Sequence, residues 1–200
     1  MAIPASVLSH LKRAKVKHAV VPHKTVFTAY DLANTLNRPL SEIAKTLVVK
    51  VDAAYVLVVV PAHTRVDFPK VKKVLAAKHV SLAPEQVMQR TFKVKPGAIT
   101  PFGTLYRIPV LLDRSLARLP HVLMGAGSFE ESLELSMPDY VRLEHPTVAP
   151  LGERTMPNRI PKPAPAKRKA TKRPSRKRAA KGSRPAKRPV KRTTKKRRSR

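Results

Sequence analysis

Two apolar segments with a short break between them form the clearest pattern in the sequence. The first, KTLVVKV, covers residues 45–51, and the second, AYVLVVVPA, covers residues 54–62. Both are rich in β-branched residues and only Asp52 and Ala53 separate them, so the pattern predicts a β-hairpin. Because the second segment is apolar at nearly every position, we expect it to be a central strand covered on both faces.

Helical and strand patterns alternate around this hairpin. Apolar residues recur at helical spacing in residues 4–15 and 67–77, and Thr28 precedes a third such segment that ends at Asn37. Strands are predicted over residues 18–22, 105–113, 121–124 and 132–136, and short helical turns over 41–44, 84–89 and 137–143. The hairpin and the short connections favour antiparallel neighbours. We therefore predict an α+β fold, a single mixed, mostly antiparallel sheet domain with surrounding helices, in preference to a doubly wound sheet.

The charge of the chain is concentrated towards its C-terminal end. The 200 residues include 42 Lys and Arg against 12 Asp and Glu, a net charge of +30. Residues 1–153 contain all 12 acidic and 20 basic residues, hence +8, whereas residues 154–200 contain 22 basic residues and no acidic one. That second segment also has seven prolines and no aromatic residue, so burial cannot offset the entropy of ordering it. We predict one folded domain over residues 1–150 and a disordered Lys/Arg/Pro/Ala-rich tail over residues 151–200.

The composition argues against several kinds of site. Without cysteine there is no thiolate nucleophile and no cysteine-ligated metal, and the seven histidines form no helical metal-binding pair. The motifs G-x-x-x-x-G-K and G-x-S-x-G are absent as well. We therefore expect neither a metal nor a cofactor. The longest apolar segment, residues 53–62, is too short to span a membrane, so we expect a cytoplasmic protein with no membrane partner.

Three features could together form a binding cleft. Residues 96–103, PGAITPFG, form a loop that proline and glycine hold in shape, and Gly125-Ala126-Gly127-Ser128 ends an apolar strand where backbone N–H groups can converge on an anion. Lys45 stands at the start of the hairpin, where its ammonium could face a phosphate, a carboxylate or a developing oxyanion. Each feature also has an ordinary explanation, as a turn or as a solvated strand end.

The order of these features resembles a known family. The segments IAKTLVVKVDAAYVLVVVPAHTRVDF, PGAITPFG and VLMGAGSFEESLELSMPDYVRL are similar to the YbaK/ProX family of aminoacyl-tRNA editing domains, and to the editing domain inserted in many bacterial prolyl-tRNA synthetases. The resemblance covers about residues 4–145. It implies a mixed α/β domain that acts as a deacylase in trans, hydrolysing the ester between a wrong amino acid and the terminal ribose of a tRNA. The implied partners are the acceptor end of the charged tRNA and an aminoacyl-tRNA synthetase.

The resemblance also implies roles for particular residues. Lys45 matches the signature lysine that is expected to hold the end of the substrate, and Gly97 to Pro101 match a GxxxP loop that forms part of the amino-acid pocket. Residues 125–128 match a glycine turn of the same cleft, and His23 and Thr28 lie in the segment that borders the pocket in related sequences. Asp67 follows the second hairpin strand, as is common in the family. The substrate-binding residues expected on this basis are His23, Thr28, Gly97, Ala98, Ile99, Thr100, Pro101, Gly125, Gly127 and Ser128.

The chemistry of such a site needs no covalent nucleophile. An aminoacyl ester is already activated, so a positioned water and stabilisation of the tetrahedral oxyanion are sufficient. We expect backbone N–H groups of the glycine loops to polarise the carbonyl, Lys45 to orient the substrate, and the free ribose hydroxyl to assist the water. The sequence leaves alanine, cysteine, serine and other small amino acids open as substrates.

The tail is outside this resemblance and is similar to the basic arms of linker-histone-like proteins. It has no aromatic residue to stack on bases, so it is expected to bind phosphates of tRNA, DNA or ribosomal RNA without sequence preference, with possible association with the nucleoid. Two alternatives stay open: a DNA- or RNA-packaging protein with a catalytically silent domain, and a module that binds an amino acid without hydrolysis. The phosphate-binding residues predicted in the tail are Lys167, Arg168, Lys169, Lys172, Arg173, Arg176, Lys177 and Arg178.

Overall fold

A computed structural model describes residues 2–90, 92 and 97–154 of the chain. The eight tail residues predicted to bind phosphates, Lys167 to Arg178, lie outside the described residues. Within the described part, no helix has both the length and the apolar character needed to cross a membrane.

The described residues contain ten strands, eight of which form one mixed sheet. Four pairs in this sheet are antiparallel (β1 with β8, β7 with β8, β2 with β3, β2 with β5) and three are parallel (β2 with β7, β3 with β6, β6 with β9). The strand order is β1-β8-β7-β2-β3-β6-β9, with β5 alongside β2, and β4 and β10 form a separate antiparallel pair. The strands are β1 His18–Pro22, β2 Ile43–Val51, β3 Ala54–Pro61, β4 Thr64–Val66, β5 Val80–Leu82, β6 Val110–Asp113, β7 His121–Gly125, β8 Glu131–Ser136, β9 Thr147–Ala149 and β10 Gly152–Arg154.

Seven short α-helices and one 3-10 helix surround the sheet. Thr28 caps α2 as expected, because its hydroxyl oxygen accepts a hydrogen bond from the backbone N–H of Asp31. Asp67 caps α3 in the same way through the N–H of Lys70. The helices are α1 Ala5–Arg13, α2 Ala29–Leu36, α3 Phe68–Val74, α4 Glu85–Arg90, α5 Gly103–Tyr106, α6 Arg114–Ala117 and α7 Met137–Glu144, and the 3-10 helix is Leu40–Glu42.

Strand β3 separates two parts of the hydrophobic core. Leu57 and Val59 are buried in a cluster with residues of α1, β7 and α7, whereas Val56, Val58 and Val60 are buried on the opposite face against α3 and β6. Successive side chains of a strand point to opposite faces, so both faces of β3 are covered. The predicted hairpin and the predicted central strand are thus confirmed, with Asp52 of the connecting turn in the left-handed region at φ 51°. The predicted fold class, a mixed sheet with surrounding helices, is confirmed too.

Several element boundaries differ from the sequence-based expectation. Residues 105–113 were expected to form one strand, but α5 occupies its first part and β6 begins only at Val110. The helix ends at Tyr106, and the next residue, Arg107, has φ 57°. The chain turns tightly there, since the N–H of Ile108 donates to the carbonyl oxygen of Gly103. The predicted turn over 41–44 is a 3-10 helix that starts one residue earlier, after Pro39, and β2 starts two residues earlier than expected.

Strand β10 lies beyond residue 150, the predicted end of the folded domain. Gly152 pairs with Val66, and Arg154 with Thr64. Gly152 also fits closely against β4, because a Cβ atom there would overlap a side-chain carbon of Thr64. A truncation intended to remove only the tail must therefore leave β10 complete.

Candidate functional site

The long strand β2 creates the space in which the candidate site lies. Its first residues, Ile43 and Ala44, pair with β7, and its last three, 49–51, pair with β5 on the same side. Between these two partners, residues 44–48 line a cavity of about 350 Å³. The cavity is closed by the segment that leads into α2, by β5 and α4, and by the two glycine loops predicted from the sequence.

Lys45 lines this cavity, and its side chain is about half-way between buried and exposed. Its Nζ donates a hydrogen bond of 2.8 Å to the carbonyl oxygen of Thr64, which fixes the long side chain. Burial lowers the pKa of Lys45 below its usual value of 10.5, because the apolar surroundings disfavour the charged form. An ammonium carries three donors, so Lys45 can hold the Thr64 carbonyl and a ligand at the same time.

His23 and Ser132, which also line the cavity, form a hydrogen-bonded pair. The Nδ1 of His23 lies 2.9 Å from the carbonyl oxygen of Lys24, which can only accept, so Nδ1 carries a proton. In the neutral ring, Nε2 is then an acceptor, and it lies 2.9 Å from the hydroxyl of Ser132, which donates to it. The carbonyl thus selects the tautomer in which Nε2 is the acceptor for Ser132.

The two glycine loops meet beside this pair. Gly97 has φ 84°, and a Cβ atom there would lie 3.2 Å from the carbonyl oxygen of Phe27. Gly125 approaches the first loop, since a Cβ atom on it would lie 3.6 Å from the carbonyl oxygen of Ile99. The hydroxyl of Ser128 accepts hydrogen bonds from the N–H groups of Glu130 and Glu131, which fixes the second loop. Both loops therefore present closely packed backbone to the cavity.

Helix α7 fixes the first loop from behind. The buried hydroxyl of Tyr140 donates a 2.7 Å hydrogen bond to the carbonyl oxygen of Pro101, and Thr100 is hydrogen-bonded to Tyr106 at 3.0 Å. Further along, the buried carboxylate of Glu144 accepts from the backbone N–H of Thr104. Burial raises the pKa of Tyr140 well above its usual value, so the hydroxyl keeps the proton that it donates.

The structure brings together most of the residues expected at the site, but not all. Ala98, Thr100 and Pro101 are buried behind the cavity, and Gly127, at φ 82°, packs against Pro4. Asp67 caps α3 and pairs with Lys70, so its role is structural. The expected residues that line the cavity are His23, Thr28, Lys45, Gly97, Ile99, Gly125 and Ser128.

Sequence reasoning missed several residues of the cavity, among them an aromatic pair at its rim. Phe27 and Phe129 pack with their ring centroids 5.2 Å apart, and both line the cavity. Ser132 was missed because its partner His23 is 109 positions away and only the pairing of β1 with β8 brings them together. An apolar residue directly before a helix cap was the one available signal for Phe27, and that pattern predicts a buried contact rather than an exposed ring.

The described residues contain no group of three or more His, Cys, Asp or Glu side chains that could hold a metal ion.

The family assignment agrees with this geometry. The sequence model for the aminoacyl-tRNA editing domain matches residues 23–143, which include all the cavity-lining residues. The chain is 33% identical to the proline–tRNA ligase of Macrococcus caseolyticus over 102 residues, 51% of this chain and 18% of the ligase. It is 29% identical to the enzyme of Staphylococcus epidermidis over 119 residues, 60% of this chain and 21% of that protein. The chain therefore spans only about a fifth of the length of these curated relatives.

Solved structures share the fold. The crystal structure of hypothetical protein APE2540 superposes with a TM-score of 0.69 at 26% identity, covering 74% of this chain and 99% of that one. A protein whose suggested role is trans-editing for prolyl tRNA synthetase superposes with a TM-score of 0.65 at 21% identity, covering 76% and 99% of the two chains. The family match over more than half of the chain, with the same fold in both neighbours, establishes that this protein belongs to the aminoacyl-tRNA editing domain family.

Proposed function

We propose that the protein is an aminoacyl-tRNA deacylase that acts in trans and hydrolyses the ester between a small amino acid and the terminal ribose of a mischarged tRNA. The observation that carries the proposal is that Lys45, whose ammonium is fixed by the Thr64 carbonyl, lines a 350 Å³ cavity of an editing-family domain. A cavity of this size is at the lower end of the range for small-molecule sites. It suits an amino acid and part of a ribose.

In the proposed reaction, water attacks the ester carbonyl without a covalent intermediate. The Lys45 ammonium holds the electron-rich end of the substrate, and backbone N–H groups of the glycine loops stabilise the oxyanion. The amino acid leaves as the carboxylic acid, and the ribose oxygen takes a proton. The ribose hydroxyl that is not esterified assists the water.

The pair of His23 and Ser132 supplies the basic nitrogen of the proposed site. With Nδ1 held by the Lys24 carbonyl, Nε2 accepts from the Ser132 hydroxyl, so a proton taken from water can reach Nε2 through that hydroxyl. This arrangement supports a role for His23 in orienting and deprotonating water. A covalent route through Ser132 would instead show a burst of acylated protein.

The apolar lining supports selection for small uncharged side chains. Val26, Leu32, Val48 and Met88 line the cavity, and burying a charged group against them without a partner would be costly. Pocket size alone discriminates weakly, with about 1–3 kcal/mol for one methylene group. We therefore propose a small amino acid as the class of substrate.

The tail gives the proposed enzyme a second contact with nucleic acid. Its 22 basic residues would raise the local concentration of tRNA or ribosomes, and contact with about ten single-strand phosphates would give a log–log salt slope of about −7. We propose a cytoplasmic protein whose partners are the acceptor end of tRNA and an aminoacyl-tRNA synthetase. DNA and ribosomal RNA are the further candidates for the tail.

The concentration of charge in the tail also favours a second candidate function. A nucleic-acid packaging protein with a catalytically silent domain would bind duplex DNA or RNA through residues 154–200 and would leave every aminoacyl-tRNA intact. The two functions differ in whether ester hydrolysis occurs at all.

A deacylation screen separates these candidates. The full chain and a chain truncated after Lys162, which keeps β10, are incubated with several mischarged tRNAs, and the release of amino acid is followed. The proposed function predicts release with both chains and a weaker dependence on salt for the truncated one. Duplex binding that is lost on truncation, without release from any tRNA, would favour the packaging protein. Saturable binding of an amino acid without release would favour a ligand-binding module.

A further inference from the structure

The two most exposed large apolar side chains of the described residues lie on the same cavity. Phe27 is 68% exposed and Leu82 is 54% exposed, and both line the site that contains Lys45. Single exposed apolar residues are common on protein surfaces. Two that coincide on one cavity indicate a surface that is covered when a ligand is bound.

The ring of Phe27 contributes little to the packing of the neighbouring helix α2. It directly precedes Thr28, the cap of α2, where an apolar residue often packs against the first turns of the helix. Here Val26 packs against the cluster that contains Leu32, and the ring of Phe27 is left largely in solvent. The exposure of the ring is therefore not explained by the local folding of α2.

The ring is nevertheless fixed in position. Phe129 packs against it at a centroid distance of 5.2 Å and an interplanar angle of 52°. The backbone carbonyl of Phe27 lies close to Gly97, where a Cβ atom would come within 3.2 Å of it. A ligand that stacks on Phe27 therefore meets a platform whose position is already set, which reduces the entropy lost on binding.

We propose that Phe27 is the stacking platform for the terminal adenine base of the tRNA acceptor end. This inference rests on the proposed function. If the amino acid occupies the cavity beside Lys45, the base joined to the same ribose lies immediately outside it, at the rim that Phe27 forms. Single-stranded ends of RNA are bound in proteins by stacking of their bases on aromatic side chains. Such stacking contributes to the affinity for each base largely independently of sequence.

The test compares two ligands with the same phosphates. Binding of the trinucleotide CCA to the full chain is measured by calorimetry beside a trinucleotide whose last residue lacks a base. The basic tail contacts both ligands equally, so the ratio of their dissociation constants reports the base alone. We expect the wild type to prefer CCA by about five- to a hundredfold, and Phe27→Ala to bring the ratio close to one. Phe27→Trp should keep the preference.

Val148→Ala is the matched control. Val148 is also an exposed apolar residue, but it lies on β9 at the far edge of the sheet and does not line the cavity. This variant should keep the wild-type ratio.

A melting temperature close to that of the wild type is expected for Phe27→Ala, because the ring is mostly exposed.

The outcomes separate this inference from the proposed function. An unchanged ratio in Phe27→Ala, or a wild-type ratio of one, overturns the stacking role even if deacylation is observed. A ratio of one in the wild type, together with a changed oligomeric state in Phe27→Ala, would assign the rim to a protein contact and would also overturn the stacking role. The wild type could also prefer CCA in a way that depends on Phe27, yet release no amino acid from any tRNA. That result would support the stacking site and contradict the deacylase function.

Discussion

Lys45 Nζ is hydrogen-bonded to the Thr64 carbonyl oxygen at 2.8 Å, which joins the middle of the cavity wall to the short strand β4. Two strands of different sheets therefore determine where the ammonium lies. Since β4 pairs with β10, residues near the end of the described chain contribute indirectly to the position of Lys45.

The titration of Lys45 should appear in the pH dependence of the reaction. Burial lowers its pKa, so the ammonium is lost as the pH rises through a value below 10.5. The enzyme-dependent rate of deacylation, after subtraction of spontaneous ester hydrolysis, should fall across that range. A rate that stays constant up to pH 10.5 would show that the charge on Lys45 is not used.

The lowered pKa of Lys45 should make the folded protein more stable as the pH rises, although the reaction rate falls over the same range. Between the lowered pKa of the folded protein and 10.5, the unfolded chain binds more protons at Lys45 than the folded one, so the free energy of unfolding rises with pH. Urea titrations of the wild type and Lys45→Met, compared over this range, should show this rise only in the wild type. Parallel curves for the two proteins would contradict the burial-induced shift.

The His23 imidazole should be required for turnover and not for folding. His23→Asn places an amide N–H near the position of Nδ1, so it can still donate to the Lys24 carbonyl, but it removes Nε2. We expect kcat to fall by about a hundredfold or more, typical of the loss of a general base, with little change in melting temperature. Ser132→Ala should lose less activity, and rapid-quench experiments on the wild type should show no acylated protein. A burst with one equivalent of acyl-enzyme would contradict the direct attack of water.

Gly97 and Gly125 should respond differently to the same substitution. Gly97 has a positive φ and its added Cβ would lie close to the Phe27 carbonyl, so Gly97→Ala should destabilise the protein by about 1–2 kcal/mol. Gly125→Ala meets only an ordinary contact at 3.6 Å and serves as the control. Thermal melts of the two variants test this difference, and equal melting temperatures would contradict the strained conformation of the first loop.

Removal of the Tyr140 hydroxyl should loosen the first loop. Tyr140→Phe leaves the Pro101 carbonyl without this donor, so we expect a loss of about 1–2 kcal/mol in the free energy of unfolding and a higher KM. Tyr30→Phe changes a hydroxyl on the exposed surface of α2 and should alter stability by less than about 0.5 kcal/mol. Denaturant titrations measure both, and a Tyr140→Phe protein as stable as the wild type would show that α7 does not fix the loop.

Local patterns were sufficient to predict the hairpin and the start of a helix at Thr28, and the role of Lys45 stays a prediction. These features depend on neighbouring residues, and the structure confirms the hairpin and the cap. The pair of His23 and Ser132 could not be predicted in this way, because it depends on the register of β1 against β8 across more than a hundred residues. Helix α5 was missed because the apolar pattern of residues 105–112 suits a strand, while the contacts of Gly103 with Ile108 and Val110 impose a tight turn.

The single-turnover deacylation rate of a small-amino-acid mischarged tRNA, measured with the wild type and with Lys45→Met, tests the central claim most directly. We predict rapid release of the amino acid by the wild type and a rate at least about a hundredfold lower in Lys45→Met, because the variant loses the fixed positive charge in the cavity. Equal rates for the two proteins, or no release by the wild type from any mischarged tRNA, would contradict the account.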